Sequence, residues 1–155
     1  NTTYSAPELD ALKHIIDDIV QQPGFQFLVG EVNAGQQVCS LLSRTVREGS
    51  DLLAQFVDDG WLEIIGSRYI LLPRTICELK HYLIERYGLV EQDQSGHIFL
   101  CFQCKDIVTH GIKCERCFTS FHQKCVYIYR KQSSDCPGCQ KFLLTEKVGL
   151  ELVLS

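Results

Sequence analysis

Eight side chains in the C-terminal third of this chain stand at spacings that suit metal ligation. Cys101 and Cys104 are two residues apart, as are Cys114 and Cys117, His122 and Cys125, and Cys136 and Cys139, with intervals of nine, four and ten residues between the pairs. A two-residue spacing lets one tight turn aim both side chains at a single point, and zinc takes four nitrogen or sulfur ligands in a tetrahedron. Four pairs therefore make two complete sites. A site closed by four ligands leaves no position for water or substrate, so the expected cofactors are two structural zinc ions. A lone C-x-x-C would suit redox chemistry equally well, whereas four pairs between residues 101 and 139 point to metal. Spacing alone permits the pairs to combine as neighbours, as inner and outer couples, or interleaved.

The remaining candidates carry less. Nine cysteines imply either an extracellular disulfide framework or intracellular metal thiolates, and their odd number and clustering favour reduced cysteines in the nucleus or cytosol. Cys39 and Cys77 stand apart in helical patterns and are expected to be small core residues. His14, His81, His97 and His110 match no ligand spacing, and Trp61 is expected in the core. No paired carboxylates, phosphate loop or Ser/His/Asp arrangement is recognisable, so no catalytic side chain is assigned.

These ligands need a scaffold. The chain has 155 residues, 45% of them apolar, enough for one ordinary domain or two small ones. No apolar run is long enough to cross a bilayer, no signal-peptide pattern opens the chain, and no membrane association is expected. There is no methionine, and the chain is expected to be a piece of a longer protein.

Ser5-Ala6-Pro7-Glu8 has the form of a capping box, followed by Leu9, Leu12, Ile16, Ile19 and Val20 at helical spacing, which predicts a first helix to about Gln21. Pro23 and Gly24 stop it, and Phe25 to Val29 reads as a strand or a buried loop. A second helix is expected from Asn33, with Val38, Leu41 and Leu42 on one side. Thr45-x-x-Glu48 is another capping box, leading to Leu53, Phe56 and Val57. Trp61 to Ile65 and Arg68 to Leu72 flank Gly66-Ser67 and predict a hairpin. Ile76, Leu79, Leu83 and Tyr87 predict a fourth helix closed by Gly88. Three helices, a hairpin and a further helix is the element order of a winged-helix domain. The expected fold class is α+β, with a winged-helix domain over residues 1–89 and a variant zinc domain over residues 90–155. The polar stretch 89–100 marks the boundary, and the apolar tail from Val148 to Leu154 either adds an edge strand or rests on another surface.

Charge argues against nucleic acid as a direct partner of this fragment. Residues 1–89 hold seven Lys/Arg against twelve Asp/Glu, a balance of −5, and residues 90–155 hold eight against seven, a balance of +1. Neutralising phosphates takes several clustered cations. In the third helix, Arg44 and Arg47 face Glu48, Asp51, Asp58 and Asp59, which would repel a DNA backbone, so a protein partner is expected there.

With both parts in view, the chain resembles the non-SMC element 1 family, the RING-containing subunits of the SMC 5/6 chromosome-maintenance and DNA-repair complex. The likeness rests on Glu8-Leu9-Asp10-Ala11-Leu12, on Phe56-Val57-Asp58-Asp59-Gly60-Trp61-Leu62, and on the eight-ligand order with His122 fifth. The resemblance implies an interleaved cross-brace: Cys101, Cys104, His122 and Cys125 around a first zinc, and Cys114, Cys117, Cys136 and Cys139 around a second. It implies a RING-type ubiquitin ligase subunit in the nucleus, on chromosomes. Its partners would be a MAGE-like non-SMC element 3, a kleisin-like non-SMC element 4 and a ubiquitin-conjugating enzyme. The last would be contacted through Phe102, Val126 and Pro137.

One departure bears on activity. Many RING ligases carry arginine just after the final cysteine, where this chain has Gln140, followed by Lys141. That suggests a ligase weak alone and dependent on its MAGE-like partner, or a non-catalytic zinc assembly module. PHD fingers, which read histone tails, share the ligand order but usually carry tryptophan two residues before the seventh ligand; Ser134 stands there, which favours RING.

Overall fold

The computed structural model describes residues 3–90, 95–150 and 152. It divides into two compact units, one formed by Asn1–Gln22 with Leu28–Thr75 and the other by Pro23–Phe27 with Ile76–Ser155.

In the first unit, α1 (Ala6–Val20) buries Ala11, Leu12, Ile15, Ile16, Ile19 and Val20 along one stripe. Its cap is reciprocal: the Glu8 amide donates to Ser5 Oγ at 3.3 Å, and the Ser5 amide donates to Glu8 Oε1 at 2.9 Å. The second capping box opens α3 (Val46–Asp58) in the same way, with Thr45 and Glu48 exchanging bonds above buried Leu52, Leu53 and Phe56. Between them, α2 (Glu31–Leu42) starts two residues before the expected Asn33, because the Glu31 amide finds the Ser67 carbonyl at 2.9 Å. Its buried pair is Ala34 and Val38, while Leu41 is exposed. Only Val38 of the three expected apolar positions therefore reaches the core.

The expected hairpin is β2 (Leu62–Ile65) and β3 (Arg68–Leu71), antiparallel and joined by Gly66-Ser67. Both turn residues have positive φ, at 55° and 64°, which matches the right-handed strand twist that a two-residue hairpin demands. The run from Phe25 resolves into a short 3₁₀ turn, Pro23–Phe25, and then β1 (Val29–Gly30), which pairs with β3 to give the order β1-β3-β2. The expected fourth helix is broken at Leu79 into α4 (Pro73–Glu78) and α5 (Lys80–Tyr87), since Leu79 leaves helical geometry at φ −103°, ψ 13°. Cys77 is exposed, contrary to a core role: Thr75 and Ile76 are the buried positions of α4 and the next residue turns outward. Cys39 is half-buried, its thiol donating to the Thr45 carbonyl at 3.3 Å.

Beyond α5, the second unit is built of short strands around a further helix. β4 (Phe99–Leu100) pairs with β5 (Ile107–Val108), and β6 (Gly111–Cys114) lies between β7 (Ser120–Phe121) and β8 (Thr145–Val148). The start of the apolar tail thus closes an edge strand, and Leu150 beyond it is buried. Residues 151 and 153–155 of that tail lie outside the described residues, as does 91–94 of the polar stretch. Helix α6 (Gln123–Arg130) follows His122 directly. The core gathers Ile98, Phe99, Phe121, Leu143 and Val148, joined by Phe25, whose ring meets Phe99 edge-on at 4.7 Å. The fold is therefore α+β, with no described helix long and apolar enough to cross a membrane.

Candidate metal centre

Three of the four ligand pairs sit on the same backbone device. The amide of the first cysteine donates to a carbonyl five residues on: Cys101 to Asp106 at 2.8 Å, Cys114 to Thr119 at 2.8 Å, and Cys136 to Lys141 at 2.7 Å. In the outer two, the residue after the second cysteine is left-handed, Lys105 at φ 70° and Gln140 at φ 68°, and its amide returns to the first cysteine's carbonyl at 2.9 Å. The loop thereby delivers both sulfurs of a pair to one cluster. The fourth pair uses a helix instead, with His122 at the N-cap of α6 and Cys125 on its first turn.

These knuckles converge in an interleaved pattern. Ligand atoms of Cys101, Cys104, His122 and Cys125 lie within 4.8 Å of one another, and so do those of Cys114, Cys117, Cys136 and Cys139. A zinc tetrahedron has sulfur–sulfur edges of about 3.8 Å and sulfur–nitrogen edges of about 3.5 Å, given its bond lengths. The structure has Cys114 and Cys139 sulfurs 3.9 Å apart, Cys117 and Cys136 sulfurs 3.5 Å apart, and His122 Nδ1 at 3.3 Å from Cys104 and 3.8 Å from Cys125. All nine cysteines are free thiols. The donor set and its dimensions thus fit two zinc ions. His122 Nε2 donates to the Ile107 carbonyl at 3.0 Å, which leaves the Nδ1 lone pair for a metal.

The thiols differ in how readily they ionise. Burial pushes Cys114 up to about 11 and, with Cys101 nearby, Cys125 up to about 12. At Cys101, burial is outweighed by hydrogen bonds from His122 and the backbone around Cys104, which bring it to about 6. Cys136 reaches about 6 as well, where bonds from the Cys139 and Gly138 amides overcome burial. Each cluster so combines one easily ionised thiol with one reluctant one, and loading it with a dication must release protons.

The other named residues fall as follows. Phe102 is 41% exposed and packs edge-on against Tyr129 at 5.8 Å, with the Lys105 ammonium 4.5 Å from its ring. Val126 is buried and Pro137 half-buried. Tyr129, which the spacing pattern did not single out, completes this surface; its hydroxyl donates to the Asp135 carbonyl at 2.6 Å. Its signal in the sequence was a position four residues after Cys125, on the same helical face. Gln140 and Lys141 are exposed, and Trp61 is half-buried beside Arg74, 5.4 Å from its ring. Neither His14, His81, His97 nor His110 joins a cluster among the described residues.

With this geometry in place, comparison with known proteins gives a consistent result. Residues 101–139 match the RING-like domain. Over most of its length the chain is similar to proteins named Non-structural maintenance of chromosomes element 1 homolog. In Xenopus tropicalis the identity is 28% over 141 residues, covering 89% of this chain and 49% of the relative. In Homo sapiens it is 25% over 144 residues, covering 91% and 51%. In Drosophila melanogaster it is 23% over 141 residues, covering 90% and 57%. The chain thus spans about half the length of these relatives. A solved chain titled "Nse1-Nse3-Nse4 complex" shares the fold, with a TM-score of 0.70 at 23% identity over 94% of this chain and 61% of that one. The resemblance expected from the sequence holds.

Proposed function

We propose that this chain is a RING-type ubiquitin ligase subunit of an SMC 5/6 chromosome-maintenance and DNA-repair complex, acting in the nucleus. The observation that carries the reading is the interleaving of the two clusters, Cys101/Cys104 with His122/Cys125 and Cys114/Cys117 with Cys136/Cys139, beside an aromatic pair, exposed Phe102 and half-buried Tyr129. The eight ligands hold two structural zinc ions. Such a ligase supplies no nucleophile; it holds a ubiquitin-loaded conjugating enzyme so that the thioester meets an acceptor lysine, which is catalysis by positioning. Phe102 and Pro137 offer apolar contact to that enzyme, whereas Val126, expected to join them, is buried in the core and offers it no surface.

The region 1–89 is read as a winged-helix domain that docks a MAGE-like non-SMC element 3, with a kleisin-like non-SMC element 4 in the same assembly. Its α3 suits a protein partner better than DNA: Arg44 is engaged by Glu8 at 3.2 Å, and the exposed positions include Glu48, Asp51 and Asp58. The test is zinc analysis of the protein together with ubiquitin discharge from a loaded conjugating enzyme. Two zinc ions and discharge that rises on adding the MAGE-like partner are expected; equal rates with and without it refute partner dependence.

One observation favours a second reading, a zinc assembly module without ligase activity. Gln140 stands where many RING ligases use arginine to hold ubiquitin, and its amide side chain is tied to the Pro137 carbonyl at 3.0 Å. Failure to discharge ubiquitin from any conjugating enzyme would select it. Saturable binding of histone-tail peptides would instead select the PHD-like reading.

A further inference from the structure

Among the described residues, three polar side chains are buried: Thr75, Thr119 and Ser120. Two of them satisfy backbone carbonyls, Thr75 donating to Trp61 at 2.7 Å and Ser120 to Leu100 at 2.9 Å. Thr119 differs. Its hydroxyl lies 3.2 Å from Cys117 Sγ, at 8% exposure. A Cβ placed on Gly138 would fall 2.1 Å from Thr119 Oγ1 and 3.1 Å from Cys117 Sγ, so the hydroxyl fills the space that this glycine leaves open above the Cys136–Cys139 turn. The second cluster therefore encloses an oxygen that is not itself a ligand.

From this placement we infer that Thr119 is a positioning residue of the second metal site, donating its hydroxyl proton to the metal-bound Cys117 thiolate. The inference rests on reading that cluster as a zinc site. As a thiol, Cys117 donates to Thr119 Oγ1. A metal-bound thiolate has only lone pairs to offer, so the hydroxyl must rotate and donate in return. The second site needs such donors more than the first. Four thiolates around one dication leave two negative charges uncompensated, whereas three thiolates and an imidazole leave one. Backbone amides serve two of the four sulfurs, Arg116 to Cys114 and Gly138 to Cys136, each at 3.4 Å. Thr119 extends the same service to Cys117, from a side chain. Partners of metal ligands at this distance change metal affinity by about 10- to 100-fold.

The test uses the full chain loaded with zinc and challenged with a chromogenic chelator. Wild type is expected to carry two equivalents. Thr119→Val, which keeps the shape and removes the donor, is expected to release one equivalent about 10- to 100-fold faster while the other keeps its wild-type rate. Thr119→Ser restores the slow rate. In the cobalt-loaded protein, Thr119→Val moves the thiolate-to-metal charge-transfer band to lower energy and Thr119→Ser does not, a shift that lost packing alone would not produce. Release of both equivalents at wild-type rates from Thr119→Val overturns the inference and leaves the zinc reading standing; wild type without bound zinc overturns the zinc reading itself. Should the valine variant not fold, cadmium-113-loaded wild type decides: a coupling between the Thr119 hydroxyl proton and one cadmium nucleus is expected, and its absence overturns the inference.

Discussion

The two units solve the same problem, how to hold a small fold together, by different means. The first relies on apolar stripes: α1 and α3 are capped at their N-termini by matching boxes and bury Ile15, Ile19, Leu53 and Phe56, and Leu62 of the hairpin is fully buried as well. The second has strands of two to four residues and, in α5 and α6, helices of eight residues, elements too short to persist on their own hydrogen bonds. What it has instead is eight side chains able to ligate metal, drawn into two tight clusters. Burial needs elements long enough to line a core, and a metal does not, so the more irregular the fold, the more of its stability must come from ligation.

This contrast breaks most sharply on chelation. Structural zinc is worth about 10 to 16 kcal/mol in finger peptides, as much as the whole stability of an ordinary domain. Exhaustive removal of metal should abolish amide protection in β6, β7 and α6 while α1 and α3 retain theirs, as read by hydrogen exchange on the intact chain. Retained protection around β6 would mean that the second unit stands on its own core and that the comparison is mistaken. Removing one ligand is the next largest perturbation. Cys136→Ala leaves buried Cys114 and half-buried Cys117 and Cys139 without a fourth partner, and zinc content should fall from two equivalents to one or fewer. An unchanged content of two would exclude Cys136 from the ligand set.

How much of this was legible in the sequence follows the same division. Spacing alone named all eight members of the two clusters, because a knuckle needs only local backbone and two residues between its sulfurs. It could not say which pair meets which: interleaving depends on the bridge between Cys101 and Ser120, which sets the first pair beside His122 across the intervening Cys114 and Cys117, a contact between residues far apart in order. Thr119 was invisible for a related reason, since its hydroxyl matters only once the Cys136–Cys139 turn arrives above it. In the first unit, both capping boxes and the Gly66-Ser67 turn were readable, being local patterns with local physics. The errors came where neighbours intervene. Leu41 fits the helical period yet is exposed, and the single helix expected after Pro73 is interrupted at Leu79.

Within the first unit the comparison can be sharpened by a core deletion. Phe56 is fully buried and meets the Tyr4 ring edge-on at 5.3 Å. Phe56→Ala removes that contact and opens a cavity, at a cost of about 3 to 5 kcal/mol. Chemical denaturation of the zinc-loaded protein should show the loss as a lowered midpoint for the first unit, with zinc content still at two equivalents. A parallel loss of zinc would show that the metal clusters depend on the apolar unit, and the division of labour would fail.

The smallest effect concerns the caps, and it discriminates local from tertiary support. Thr45 Oγ1 accepts from the Glu48 amide at 3.1 Å, and the Glu48 carboxylate accepts from the Thr45 amide at 3.3 Å, so Thr45→Ala leaves the first amides of α3 to water. The cost should be about 1 kcal/mol, measured as a shift in the denaturation midpoint with no change in its slope. His122 occupies the corresponding N-cap of α6, but its side chain makes no capping bond, because Nδ1 faces the sulfurs and Nε2 the Ile107 carbonyl. Helix α6 therefore begins at a candidate metal ligand where α3 begins at a cap. Chelation should fray α6 from this end and leave the start of α3 protected, whereas Thr45→Ala should do the reverse.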